Sequence, residues 1–319
     1  MKHFILPGTD LRTSTLGFGC ASIMGRQGKR KSLNALACAY EAGIIHFDVA
    51  RSYGFGEAEK IVGQFIRNKR DQVCLVTKFG ILPQPINPLR KLAKPILRIL
   101  LDTIPSMSAR VRRLSNQFLS TGNFSVETAR NSLHTSLTNL GVQTIDLLLL
   151  HECTEQTPIS DDLFDFLDRC VTEGKIRYYG LATDPASAST VLELFPDRTI
   201  TAIQTPLNPT DAFEQLEHKA TVKARIVHSV GALQPILSAS LNKTKTAAAS
   251  LPDEISIIRF SPFEAMPLLL RYASYKSQGG VTLVSSFNSQ HITQNACAVA
   301  TPLPDNTIRV LNRLLFSSS

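Results

Sequence analysis

Three ionisable side chains each close a short apolar run. Asp48 ends the run 44–48, Lys78 the run 73–78 and His151 the run 145–151; Tyr53 follows Asp48 by five residues, and Gln204 closes a further run, 200–204. A carboxylate, an amine, a phenol and an imidazole hold, pass or orient protons, so gathering them in one place would support acid–base catalysis. Taken singly they have plainer readings: Asp48 and Lys78 as a structural ion pair, Tyr53 as a loop aromatic, His151 as a satisfied core histidine. The repetition of polar groups at successive run ends favours chemistry over simple solvent capping.

The elements that would position these groups recur along the chain. Eight short β-rich runs, at 15–19, 44–48, 73–78, 145–151, 176–181, 200–204, 224–228 and 281–285, alternate with amphipathic stretches. That is the order of βαβ units feeding a parallel sheet. The clearest helix is 126–140: Ser125 is a candidate N-cap, Val126, Ala129, Leu133, Leu137 and Leu140 form one stripe, and Gly141 ends it. Others are expected near 30–42, 57–67, 160–173, 185–194, 262–275 and 289–299, with a weaker one near 211–219 and a loop or short helix of small residues at 244–250. Eight strands predict closure into an α/β fold, the (β/α)8 TIM barrel, whose chemistry sits where the strand carboxyl ends converge. No linker or repeat divides the chain, so 1–319 reads as one barrel domain.

Composition excludes several classes. With 43% apolar and 19% charged residues the chain suits a globular protein with a sizeable core. Six cysteines, at 20, 38, 74, 153, 170 and 297, show no metal-type spacing, and no metal is expected. No apolar run approaches the roughly 18 residues of a membrane span, and the apolar stretch near Met1 is too short for a signal peptide. A reducing, cytoplasmic location is the expectation. The net charge of +8 is concentrated: between Gln84 and Phe124, seven bases (Arg90, Lys91, Lys94, Arg98, Arg110, Arg112, Arg113) face one acid, Asp102. No nucleic-acid module accompanies them, so no nucleic-acid partner is expected.

The segment His46-Phe-Asp48-Val-Ala-Arg51-Ser-Tyr53-Gly54-Phe-Gly56-Glu57-Ala-Glu59, with Thr77-Lys78-Phe-Gly80 and Leu147-Leu-Leu-Leu-His151, resembles the aldo-keto reductase family. The likeness runs from Leu16-Gly17-Phe18-Gly19 to Asn295. It implies a (β/α)8 barrel that uses a nicotinamide coenzyme, NADP(H) ahead of NAD(H), to reduce small-molecule aldehydes or ketones, or to oxidise an alcohol or sugar. It assigns the catalytic tetrad to Asp48, Tyr53, Lys78 and His151. The chemistry of these groups agrees: carbonyl reduction needs a hydride on carbon and a proton on oxygen, and a tyrosine with an ordinary pKa near 10 is a poor shuttle at neutral pH. Lys78 beside it would favour the phenolate, Asp48 would keep that ammonium from being buried alone, and His151 would hold the substrate oxygen.

The same resemblance implies coenzyme contacts at Gly19, Cys20, Asp48, Thr183, Gln204, His228, Ser285, Ser286, His291 and Asn295. Several depart from the family pattern. Ala182 replaces a serine, leaving Thr183 to supply a hydroxyl; His228 stands where a tyrosine often stacks; Ser285 and His291 stand where a lysine and an arginine commonly clasp the 2′-phosphate. Neither a third glycine completing G-x-G-x-x-G nor a phosphate-loop or serine-elbow motif is present. His46, two residues before Asp48, reads as core packing rather than as half of a ligand pair.

Residues 81–123 form a long basic insertion between the third strand and the helix at 126–140. Leu89, Leu92, Ile96, Leu97, Leu100 and Leu101 recur at roughly helical spacing, interrupted by Pro95. A lid that attracts acidic or phosphorylated substrates, a decoration of the barrel rim, and a membrane-surface patch all fit, with membrane contact the least favoured. Two other functions compete with the reductase: a coenzyme-binding sensor with little turnover, and an aldolase using Lys78 as a Schiff-base nucleophile. Substrate identity and oligomeric state are not legible.

Overall fold

The computed structural model describes residues 1–24, 27–83, 122–207, 222–243, 251–260 and 265–316. Within them a hairpin, β1 (His3–Ile5) and β2 (Arg12–Ser14), precedes eight strands: β3 (Leu16–Gly19), β4 (His46–Asp48), β5 (Cys74–Phe79), β6 (Ile145–His151), β7 (Ile176–Ala182), β8 (Ala202–Pro206), β9 (Ala224–His228) and β10 (Val281–Val284). The eight pair in parallel in chain order, and β10 closes on β3, making the expected (β/α)8 barrel. Each expected run is present with its ends shifted by no more than two residues.

The described helices are α1 (Lys29–Glu41), α2 (Ala58–Ile66), α3 (Val126–Leu140), α4 (Asp161–Thr172), α5 (Pro185–Leu194), α6 (Leu233–Lys243), α7 (Asp253–Phe260), α8 (Ala265–Lys276), α9 (Ser289–Ala298) and α10 (Asp305–Phe316). The ends of α3 form as its sequence requires: the Ser125 hydroxyl accepts from the Thr128 N–H at 3.2 Å, and Gly141 turns the chain at φ 66°. The short hairpin and helices α6, α7 and α10 were not expected. The helix near 211–219, the segment 244–250 and residues 84–121 of the basic insertion lie outside the described residues. The insertion leaves and returns at one place, because the Asn123 N–H donates to the Gly80 carbonyl at 3.0 Å.

Side-chain alternation along the strands divides the core in two. Outward residues such as Phe18, Phe47, Leu75, Phe79, Leu148 and Leu150 pack in one cluster with the helices. Inward residues such as Val76, Leu147, Leu149, Ile226 and Val281 fill the barrel, where Leu6 and Leu11 of the hairpin join them and plug its amino end. A Cβ on Gly180 would lie 2.1 Å from the Ala202 carbonyl oxygen, so β7 reaches its pairing distance from β8 only with glycine there.

Candidate active site

The same alternation decides what the barrel presents at its carboxyl end. On β4 the inward residues are His46 and Asp48; on β5 they are Cys74, Val76 and Lys78; on β6 Leu147 and Leu149 lead to His151. With Gly19, Ala182, Gln204 and His228 from the other strands and Ser285 just past β10, Asp48, Lys78 and His151 line a cavity of about 340 Å³, and Tyr53 reaches it from the loop after β4. A larger cleft of about 680 Å³ lies at the amino end, bordered by Arg67, Arg70, Asp146 and Arg177, and no histidine, cysteine or tyrosine lines it. The cavity at the carboxyl end therefore holds the proton-handling groups.

Lys78 is fully buried, and its ammonium donates to Asp48 Oδ1 at 2.5 Å and to the Val49 carbonyl at 3.2 Å. Its Nζ lies 5.1 Å from the centre of the Tyr53 ring. Desolvation works against this ammonium, yet Asp48 and Tyr53 more than offset it and hold the Lys78 pKa above its ordinary value. Burial likewise raises the Asp48 carboxyl, against the pull of Lys78. For Tyr53 burial is again the largest influence: Lys78 draws the phenol pKa down, as expected, but desolvation outweighs it and the net direction is upward. The simple expectation that Lys78 lowers the tyrosine below its usual value is thereby corrected. The phenol is protonated at neutral pH, with a cation nearby to stabilise the phenolate once the proton leaves.

The His151 ring meets Tyr53 edge-on, with centroids 5.7 Å apart and planes at 83°. Desolvation, with Lys78 and His228 nearby, lowers its pKa to about 3, so the imidazole is neutral. A neutral imidazole can donate or accept a hydrogen bond but is no ready acid.

The Tyr53 loop is held by backbone geometry and by one buried carboxylate. Gly54, Phe55 and Gly56 are all left-handed, at φ 59°, 60° and 85°. A Cβ on Gly54 would meet the Ile23 carbonyl at 2.5 Å, so glycine is required there. Glu59, buried, accepts from Arg51 at 3.3 Å, from Thr77 at 2.9 Å and from Asn139 at 3.1 Å. It thus ties the start of the tyrosine loop to β5 beside Lys78 and to α3.

Of the expected coenzyme contacts, Gly19, Asp48, Gln204, His228 and Ser285 border the cavity; Cys20, Thr183, Ser286, His291 and Asn295 do not. The Cys20 thiol is buried and turned to the Phe18 carbonyl, and the Thr183 hydroxyl donates to the Cys153 carbonyl at 2.5 Å. Asn295 is buried within α9, while Ser286 and His291 sit at its amino end, where the Asn288 side chain accepts from the His291 N–H. His46 lies beneath Asp48 with Nδ1 3.0 Å from Thr13 Oγ1, packed in the interior as expected. No metal-binding cluster occurs among the described residues. Sequence reasoning missed Glu152, Val230, Met266 and Leu270 on the cavity wall; the last three come from segments it had read only as loop or outer helix.

Comparisons with known proteins agree with this architecture. The family model described as "Aldo/keto reductase family" matches residues 15–315. "Aldo-keto reductase yakc [NADP(+)]" of Schizosaccharomyces pombe is 26% identical over 203 residues, 61% of this chain and 49% of that protein. "NADH-specific methylglyoxal reductase" of Escherichia coli is 29% identical over 191 residues, 56% of this chain and 53% of that protein. The chain thus spans about half the length of these relatives. Among solved structures, aldo-keto reductase AKR11C1 from Bacillus halodurans, in its holo form, superposes with a TM-score of 0.71 at 22% identity, covering 100% of this chain and 97% of that one. An aldo-keto reductase from Klebsiella pneumoniae in complex with NADPH gives a TM-score of 0.65 at 19% identity, covering 99% and 96%.

Proposed function

The chain belongs to the aldo/keto reductase family, and from that premise we propose that it reduces a small aldehyde or ketone, or oxidises the corresponding alcohol, with a nicotinamide coenzyme. The observation that carries this reading is the buried Lys78–Asp48 pair, at 2.5 Å, beside Tyr53 and His151 on one cavity wall.

The residues present fit the coenzyme's reacting end. Gln204 Oε1 is buried with no partner among the described residues, and Gly19 adds a wall without a side chain. A primary carboxamide and a flat uncharged ring suit such a surface. Gln204, His228, Ser285 and Gly19 would hold that end, and the reduced nicotinamide would supply the hydride to the carbonyl carbon.

Everything else falls to the chain's own side chains. His151, neutral, donates a hydrogen bond to the substrate oxygen and orients the carbonyl. Tyr53, held as a phenol by burial, gives its proton to that oxygen as charge develops there, and the Lys78 ammonium stabilises the phenolate that remains. Asp48 keeps the ammonium charged and pointed. In the oxidative direction Tyr53 takes the alcohol proton.

NADP(H) ahead of NAD(H) is the coenzyme we propose, supported by the names of the Schizosaccharomyces and Klebsiella proteins, whereas the Escherichia relative is named NADH-specific. Coenzyme oxidation measured against a panel of aldehydes, ketones and sugars tests the activity, and no oxidation with any of them would refute it. Dissociation constants tighter for NADPH than for NADH support the coenzyme preference; a ratio near one would refute it.

A further inference from the structure

Glu152 lines the cavity, and the catalytic reading leaves it unused. We propose that Glu152 is a specificity-determining residue, turning the cavity toward carbonyl substrates that are neutral or cationic and away from those bearing a carboxylate or phosphate near the carbonyl. This rests on the reductase reading of the same site.

Strand alternation alone would send Glu152 outward. Leu148 and Leu150, with the same parity on β6, face the helices. Glu152 instead leaves the strand in the left-handed region, at φ 56°, with its N–H donating to the Ala182 carbonyl at 2.7 Å. That conformation costs a non-glycine residue about 1 kcal/mol or more, and its result is a partly exposed glutamate bordering the cavity immediately after His151, its carboxyl within the influence of Lys78.

Charge bookkeeping then gives the selectivity. Among the described residues of the cavity, Asp48 and Lys78 neutralise each other, and His151 and His228 are held neutral by burial, with pKa values of about 3 and about 4. Glu152 is the remaining formal charge on this wall. Asp184, the N-cap of α5, lies near enough that its charge, after desolvation, adds to the upward push on the Glu152 carboxyl, and Lys78 pulls the other way by less, so the net push is upward. Val230, Met266 and Leu270 supply the apolar part of the wall. A substrate with an apolar body and a neutral or cationic substituent meets both surfaces; an anionic one meets repulsion.

Three matched substrates test this: 4-nitrobenzaldehyde, 4-carboxybenzaldehyde and 4-(trimethylammonio)benzaldehyde, each with wild type and Glu152→Gln. Comparing variants on the same substrates cancels intrinsic reactivity. In Glu152→Gln the kcat/KM of the carboxylated aldehyde relative to the neutral one should rise about tenfold, mainly through KM, and that of the cationic one should fall by a similar factor. Glu152→Gly, suited to the positive φ, removes the same charge and should give the same shift with no loss of thermal stability. Unchanged ratios in both variants would overturn the proposal while leaving the reductase reading intact. A wild-type preference for the carboxylated aldehyde, the result expected if the basic insertion attracts acidic substrates, would overturn it as well. If wild type reduces none of the three, this proposal falls; the reductase reading falls with it only if the wider panel of aldehydes, ketones and sugars also gives no coenzyme oxidation.

Discussion

Buried carboxylates at the two ends of the barrel are treated differently. At the amino end Asp146 is saturated: one oxygen takes the Leu75 N–H at 2.8 Å and Arg70 at 2.9 Å, the other takes Arg177 at 3.2 Å. At the carboxyl end Asp48 spends one oxygen on Lys78, while its Oδ2, His151 Nδ1 and Gln204 Oε1 are buried without a partner among the described residues. A satisfied network rigidifies; polar atoms with unspent bonding capacity beside a cavity are suited to a ligand that completes them. The foot of the barrel is saturated and the mouth keeps unspent bonding capacity, as the proposed chemistry there requires, although both use the same residue types.

The strongest way to break that contrast is Tyr53→Phe. Turnover should fall by about 10²- to 10⁴-fold, with coenzyme binding, followed by fluorescence titration, largely kept; near-normal turnover would remove the proposed proton donor. Next comes a pair of matched changes. Asp48→Asn leaves the Lys78 ammonium buried without its countercharge, so both activity and stability should drop, the latter by about 3–5 kcal/mol in denaturant unfolding. Asp146→Asn should lower stability by roughly 1–3 kcal/mol, since Arg70 and Arg177 retain solvent access, and leave kcat unchanged. Equal losses of activity from the two would erase the distinction between the ends.

A further effect is a pH dependence. His46 and His151 both have pKa values lowered to about 3, chiefly by burial. The unfolded chain takes up protons below its histidine pKa of about 6.5, whereas the folded one does not, so the unfolded state binds more protons there. Stability is therefore full above pH 6.5 and declines as pH falls toward 3, by up to about 1.4 kcal/mol per pH unit for each histidine. His46→Gln should remove one such contribution from the slope measured by denaturant unfolding at pH 4 to 6; an unchanged slope would mean His46 does not stay neutral.

The strands were legible because short apolar runs recur between amphipathic stretches, and Asp48, Lys78, His151 and Gln204 each close one of them, which already points to one rim. The hairpin escaped notice because three residues per strand carry almost no period. Glu152 was hidden for a different reason: a single left-handed φ reverses the direction its strand position implies. Thr183 has the hydroxyl expected of it, but the neighbouring Cys153 carbonyl engages it. For Tyr53 the sequence supplies the sign of a neighbouring charge and not the depth of burial, which here dominates.

Direct hydride transfer at the cavity where Lys78, Asp48, Tyr53 and His151 meet is the central proposal. Wild-type protein given reduced coenzyme deuterated at nicotinamide C4 and a neutral aldehyde should place one deuterium on the former carbonyl carbon of the alcohol, and Tyr53→Phe should form almost none. Alcohol formed without the label, or formed equally by the variant, would contradict it.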